Sequence, residues 1–389
     1  MSNRQAYASS TAPVRLGFIP LLDAAPLIVA RELGFFDMEG LDVRLYRETS
    51  WASLRDRVSV GVLEGAQMLG PMALAANLGL GAPASQLTAP LVLSRNGNAI
   101  TARRDLYDQL LATGYDLSRP QQAARALACH VQEREQPLHL GIVYAWSSHY
   151  LQLRDWLAAA DLHPGRQLKL VTVPPDQMVN ALSRGDIDIA CVGEPWNSLA
   201  EHQALGHILV TGNQIWQNAP EKVLGLRADW AEQNPATVHG LMVALIRACQ
   251  WLDEPGNRGR ALDILALPPY LDQAIQPLGQ AGQVLFHPRI QQHFFRQCAN
   301  FPWLSQAQWL LSRMTAWGQV SIDRAEPDLK SIYQPNLYRE AAATLGLDAP
   351  VMNFKEEGAH DTPFVVAGQR GPIQVSSDSL IGHGEPASS

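Results

Sequence analysis

Three short runs place polar or aromatic side chains where a strand gives way to a helix: Ser50-Trp51, Ser147-Ser148-His149 and Gly193-Glu194-Pro195-Trp196. Free N–H groups at a helix N-terminus and the helix dipole both favour negative charge, so each run is a candidate anion site. Each also has a plain structural reading, since serine is a common cap and Trp51 fits a core. His149 follows an apparent N-cap, close to positive backbone ends, which suits a neutral imidazole donating one N–H; a satisfied core or surface histidine fits the same pattern. Lys222 follows Pro220-Glu221 at an expected helix start, where a cation opposes the dipole unless an anion is near. A solvated surface lysine is the alternative. Catalytic signatures are missing: neither GxSxG, HExxH, GxxxxGK[ST] nor a GxGxxG between strand and helix occurs. Asp186 and Asp188 alternate at a strand entry and read as solvated acids. Four dispersed cysteines, Cys129, Cys191, Cys249 and Cys298, have no metal-ligand spacing and read as reduced thiols. No catalytic residue, cofactor or metal is expected.

What must position these residues is a unit that occurs twice at one constant offset, read as gapless. Leu16-Gly17 matches Leu140-Gly141, Leu27 matches Leu151, Leu33 matches Leu157, Gly61 matches Gly185, Ala66 matches Ala190 and Pro71 matches Pro195. Each copy reads strand, helix, strand, helix, strand, and each ends at a turn containing Gly and Pro. Two similar α/β lobes imply a cleft between them, where small ligands bind. In the first lobe Asp23 reads as the cap of a helix with Pro26 in its first turn and Gly34 at its end. Residues 14–104 are expected to form the first part of lobe one and 105–205 lobe two. Residues 206–350 are expected to return to lobe one and add C-terminal helices, with Glu221 to Leu347 largely helical. A chain that leaves lobe one and returns has two crossovers, hence a hinge. The stretch 367–389, polar and rich in Gly, Ser and Pro, is expected to be disordered.

The bulk properties fit a two-domain globule: 389 residues, 47% hydrophobic. A net charge of −7 argues against nucleic acid or an anionic membrane as the main partner. A locally positive site for a small anion is compatible with it. The apolar runs are strand-length, so no membrane span is expected. Met1 to Pro13 lacks the apolar stretch of about 7–15 residues that a secretory signal carries, so a cytoplasmic location is expected.

Several runs resemble the nitrate-binding, NrtA-like branch of ABC-transporter substrate-binding proteins: Gly17-Phe18-Ile19-Pro20 with Asp23 and Ala25-Pro26-Leu27; Ser50 to Asp56; Gly65 to Met72; and Cys191-Val192-Gly193-Glu194-Pro195-Trp196-Asn197. Ile215-Trp216, Pro220-Glu221-Lys222-Val223 and Leu337 to Ala342 also fit, so the resemblance covers about residues 14 to 350. It implies a two-lobed type II periplasmic-binding-protein fold with an oxyanion in the cleft. By motif, the ligand would be held by the Trp51 indole, the Asn98 amide, His149, the Gly193 backbone N–H and Lys222. Asn98 stands where the transport proteins commonly carry Gln. Bicarbonate-binding relatives carry an acid for calcium at the Lys222 position, so lysine implies a monovalent oxyanion, nitrate or nitrite, without metal. Lacking a leader in this reading, the chain resembles the cytosolic NasS-type nitrate/nitrite sensors. Members of that group hold an RNA-binding ANTAR-type (NasT-like) antiterminator and release it when ligand binds, which controls nitrate assimilation. The alternatives are the substrate-binding component of a nitrate ABC transporter, and an enzyme on the same fold such as a thiamine-pyrimidine synthase. The latter needs a cysteine-rich motif that this chain lacks.

Overall fold

The computed structural model describes residues 12–271, 275, 278, 287–323 and 327–381. Two five-stranded sheets organise them. Strands β1 (Val14–Phe18), β2 (Val43–Arg47), β3 (Gly65–Leu69) and β4 (Leu87–Val92) belong to one sheet; β5 (Asn98–Arg103), β6 (Leu138–Ile142), β7 (Leu168–Thr172), β8 (Ile189–Gly193) and β9 (Gly206–Thr211) form the other. Strand β10 (Lys222–Arg227) returns to the first, giving orders β2-β1-β3-β10-β4 and β7-β6-β8-β5-β9. In each sheet the three strands of the repeat are parallel, and the strand arriving from the other lobe is antiparallel to them.

The repeat has a physical basis in the ladders. Leu16 and Gly17 lie opposite Gly65 and Ala66, as Leu140 and Gly141 lie opposite Ile189 and Ala190. A Cβ on Gly17 would come within 2.8 Å of the Leu63 side chain, and one on Gly141 within 2.7 Å of Ile187. Both copies therefore need glycine for the same close approach. Gly61 and Gly185 share a left-handed backbone, with φ of 77° and 75°. The correspondence is not gapless, however: Leu16 pairs with Leu45 but Leu140 with Leu170, one residue later than the offset demands. Connections on either side of β7 absorb that residue.

The lobe boundaries expected from sequence differ from the sheet membership. Strand β5, placed by sequence before the 104/105 boundary in lobe one, pairs with β8 and β9; strand β9, read as leading back to lobe one, pairs with β5. The crossovers are instead residues 93–97 and 212–221. Asn96 and Gly97, both at positive φ (59° and 103°), turn the chain into the second sheet. Strand β10 lies in a stretch expected to be helical. Its run Lys222-Val223-Leu224-Gly225-Leu226 is buried throughout because it sits between β3 and β4 with both faces covered, which removes the alternation that marks a half-exposed strand.

The expected disordered tail is ordered as far as Ile381, while residues 382–389, like 1–11 of the N-terminal segment, lie outside the described residues. Phe364–Ala367 and Pro372–Val375 form a hairpin, and the chain beyond it docks on both crossovers. Arg95 donates to Ser376 Oγ at 3.1 Å, Asn218 to the Ser377 carbonyl at 2.9 Å and the Gln217 N–H to the Ser379 carbonyl at 2.9 Å. Charge is what anchors it: Lys355, Glu357 and Asp378 are almost wholly buried and ion-paired, Lys355 Nζ to Glu357 at 2.6 Å and to Asp378 more closely still. His360 Nδ1 lies 2.8 Å from the same Asp378 carboxylate. Removing the cation strands two buried carboxylates. Lys355→Met should therefore lower the unfolding free energy by about 3–5 kcal/mol, measured by urea denaturation; an unchanged midpoint would mean that the segment contributes nothing to stability.

Candidate functional site: a buried charge cluster between the lobes

Ser50 caps the helix Trp51–Ser59 by accepting from the Ser53 N–H at 3.1 Å, and Ser147 caps Ser148–Ala158 by accepting from Tyr150 N–H at 3.1 Å. These caps fix Trp51 and His149 in the first turns of helices from opposite lobes. Both side chains are buried, and neither the Trp51 Nε1–H nor either His149 ring nitrogen has a hydrogen-bond partner. Lys222 opens strand β10, opposite Leu69, and is not the start of a helix; its Nζ lies 5.7 Å from the centre of the Trp51 ring. Gly193 ends β8 opposite Asn98, and a Cβ added to it would stand 3.5 Å from Asn98 Oδ1 and 3.6 Å from Asp23 Oδ2. The five residues singled out by sequence thus lie around one point between the sheets.

Two carboxylates that the sequence reading did not include share that point. Asp23, expected to cap a helix, makes no cap; the helix Ala25–Glu32 has Ala24 at its N-cap position without a side-chain bond. Instead Asp23 Oδ2 lies 2.8 Å from Lys222 Nζ, and its other oxygen accepts from the Gln67 amide. Gln67 is held in turn by the Ile19 N–H at 2.9 Å. Glu221 takes Lys222 Nζ on Oε2, and on Oε1 it accepts from Asn98 Nδ2 at 2.6 Å and from the Ser148 hydroxyl. Asn98 Nδ2 also donates to Gln152 Oε1 at 3.2 Å, while Gln152 Nε2 and Asn98 Oδ1 have no partner. Asp23, Glu221 and Lys222 are each no more than 1% exposed. The signal for Asp23 was present, since a short acid followed by Ala-Ala-Pro is as consistent with a buried pair as with a cap. For Glu221 the helical reading of its neighbourhood hid the strand that aims it inward.

Burial alone would neutralise Lys222, but Asp23 and Glu221 outweigh it and keep the ammonium charged. Burial likewise works to raise Glu221, yet the Lys222 charge and the hydrogen bonds from Lys222 and Ser148 hold its carboxyl below the usual range. Asp23 moves up, chiefly through burial, with the Glu221 charge adding to it. Burial and then the Lys222 charge push the His149 imidazole down to about 3, so it is neutral and offers one N–H and one acceptor. The centre therefore combines one compensated cation with neutral donors that have nothing to donate to: the Trp51 indole, the Gln152 amide and one imidazole N–H. Buried donors are nearly always satisfied, so their gathering beside a cation makes this a candidate ligand position. A small anion seated there gains charge-assisted hydrogen bonds in a medium of low dielectric. Among the described residues no three His, Cys, Asp or Glu side chains gather as metal ligands would.

The lobes are joined around this centre. Trp196 Nε1 donates to the Pro20 carbonyl at 3.1 Å, the Leu22 N–H to the Glu194 carbonyl at 2.7 Å, and Arg55 to the Tyr144 hydroxyl at 2.7 Å.

Two outcomes follow. Lys222→Glu would leave three buried acids without a cation, so its expected effect includes a loss of fold stability of about 3–5 kcal/mol, read as a fall in urea midpoint. For His149, the unfolded imidazole binds a proton near its ordinary 6.5 and the folded one only near 3. Stability is therefore complete above 6.5 and falls as pH drops through that window, by up to about 1.4 kcal/mol per pH unit. His149→Gln should lose less stability than the parent between pH 6 and 4 in denaturant titrations. Equal losses would remove His149 as a source of that pH dependence.

Comparison with known proteins agrees with this architecture. Residues 7–266 match the model of the NMT1-like family. The chain is 38% identical over 345 residues to the nitrate import ATP-binding protein NrtC of Synechocystis sp. PCC 6803, covering 85% of this chain and 50% of that one. It is 37% identical over 347 residues to the bicarbonate transport ATP-binding protein CmpC of the same organism, covering 86% and 50%. The chain thus spans about half the length of these curated relatives. It is also 31% identical over 367 residues to the nitrate/nitrite binding protein NrtA of that organism, covering 88% and 78%. The crystal structure of that organism's periplasmic nitrate-binding protein NrtA superimposes with a TM-score of 0.79 at 28% identity, covering 87% of this chain and 90% of that one. The two-lobed, periplasmic-binding-protein-like α/β fold expected from the sequence is the one observed. The chain belongs to the NMT1-like family, in its NrtA-like branch.

Proposed function

We propose that the cleft binds a small planar monoanion, nitrate or nitrite, and that the chain acts as a ligand-gated sensor. The observation that carries the ligand is the set of unpartnered buried donors, Trp51 Nε1, Gln152 Nε2 and a neutral His149, grouped beside the charged Lys222. Nitrate is weakly hydrated and carries one negative charge, so a few neutral donors and a nearby cation replace its water without a metal. Bicarbonate carries an additional O–H donor and is the natural competitor to test.

In the sensor reading the protein holds an ANTAR-type, NasT-like antiterminator in the cytoplasm and releases it when the oxyanion binds, as the resemblance implies. The likeness to the nitrate import ATP-binding protein NrtC supports a nitrate-linked role common to both readings. The alternative, a substrate-binding component of a nitrate ABC transporter, draws on the likeness to NrtA.

Calorimetric titration with nitrate, nitrite, bicarbonate and sulfate tests the ligand. Saturable binding of nitrate or nitrite is expected, and Trp51→Phe should weaken it by about 1–3 kcal/mol, the cost of leaving buried charge short of one donor. Binding of bicarbonate or sulfate alone would refute the reading. For the sensor, a complex with the antiterminator that dissociates when nitrate or nitrite is added is the expected result; a complex indifferent to both would leave transport as the better account.

A further inference from the structure

We infer that the Glu221 carboxylate is a built-in stand-in for the oxyanion, taking the donors of both lobes that the ligand must win from it. This rests on the reading of the cleft as an oxyanion site. A carboxylate and nitrate present the same planar, delocalised oxygens to hydrogen-bond donors. Of the five residues that the resemblance assigns to the ligand, two, Asn98 and Lys222, already hold Glu221.

What separates Glu221 from Asp23 is the origin of its partners. Asp23 is bonded by Gln67 on β3 and Lys222 on β10, both of the first sheet. Glu221 stands on the second crossover, immediately before β10. It bonds Lys222 of the first sheet on one oxygen, and on the other Asn98 of β5 and Ser148 of the helix Ser148–Ala158, both of the second lobe. A group bonded by both lobes favours their closed arrangement, which is the property by which a cleft ligand drives closure. The stand-in therefore favours closure by its own bonds, and an incoming oxyanion gains only the difference between its contacts and those of Glu221. In this arrangement the apparent affinity is the intrinsic affinity multiplied by the fraction of molecules in which Glu221 has yielded its donors.

A residue that merely held Lys222 in place would have the opposite signature, since its loss would weaken the site. Nitrate titrations by calorimetry on the full chain and on Glu221→Ala and Glu221→Gln separate the two. Glu221→Ala should bind nitrate more tightly by about tenfold or more. Its melting temperature without nitrate should fall, and the rise on adding nitrate should exceed that of the parent. Glu221→Gln keeps the shape and loses the charge, and should lie between; it carries the test if the alanine variant does not fold by circular dichroism. Nitrate binding by the parent, with equal or weaker binding by the folded variants, would overturn the stand-in while leaving the ligand reading intact. Failure of parent and variants alike to bind nitrate or nitrite would overturn the ligand reading and the stand-in with it.

Discussion

Everything in the cleft is arranged around an ammonium group that has no access to water. Lys222 lies at the head of a strand buried on both faces, and a charge at such a place persists only with partners. Asp23 and Glu221 supply them, and they arrive from different elements: one from the turn after β1, the other from the second crossover. Burial, and then the Lys222 charge, keep the neighbouring His149 neutral; burial raises Asp23 against the pull of Lys222; and Trp51 offers a ring face and an N–H.

That electrostatic economy constrains the lobes. With the cation already held by its own carboxylates, specificity falls to the neutral donors and to their spacing. Those donors come from both sides of the cleft: Trp51 from the first lobe, His149 and Gln152 from the second. They converge only when the lobes are together, and the contacts Trp196–Pro20, Leu22–Glu194 and Arg55–Tyr144 hold them so. Binding and closure are on this view one equilibrium.

Much of this was legible in the sequence. The repeated Leu-Gly pairs reported a real steric need, a strand with no room for a Cβ, and so located the first strand of each repeat. Ser50 and Ser147 reported true caps, and so located Trp51 and His149. What escaped were features set by distant pairing. Strand β10 has no alternation because it is covered on both sides, so its apolar run reads equally as helix. Strands β5 and β9 follow their neighbours in sequence but pair in the other sheet, and nothing local to them records that exchange. Asp23 has the composition of a cap, and only the arrival of Lys222 some two hundred residues later gives it another occupation. The ordering of residues 367–381 likewise depends on Lys355 and Asp378 finding each other, although the segment itself is polar and rich in turn-formers.

The terminal segment that docks on both crossovers lies wholly beyond residue 266, where the match to the family model ends. The residues proposed to meet the ligand lie within the matched residues 7–266. The proposed ligand chemistry and the clamp across the two crossovers are thus written in separate stretches of sequence. A change in the terminal segment would therefore alter how firmly the two crossovers are held without altering any side chain of the charge cluster.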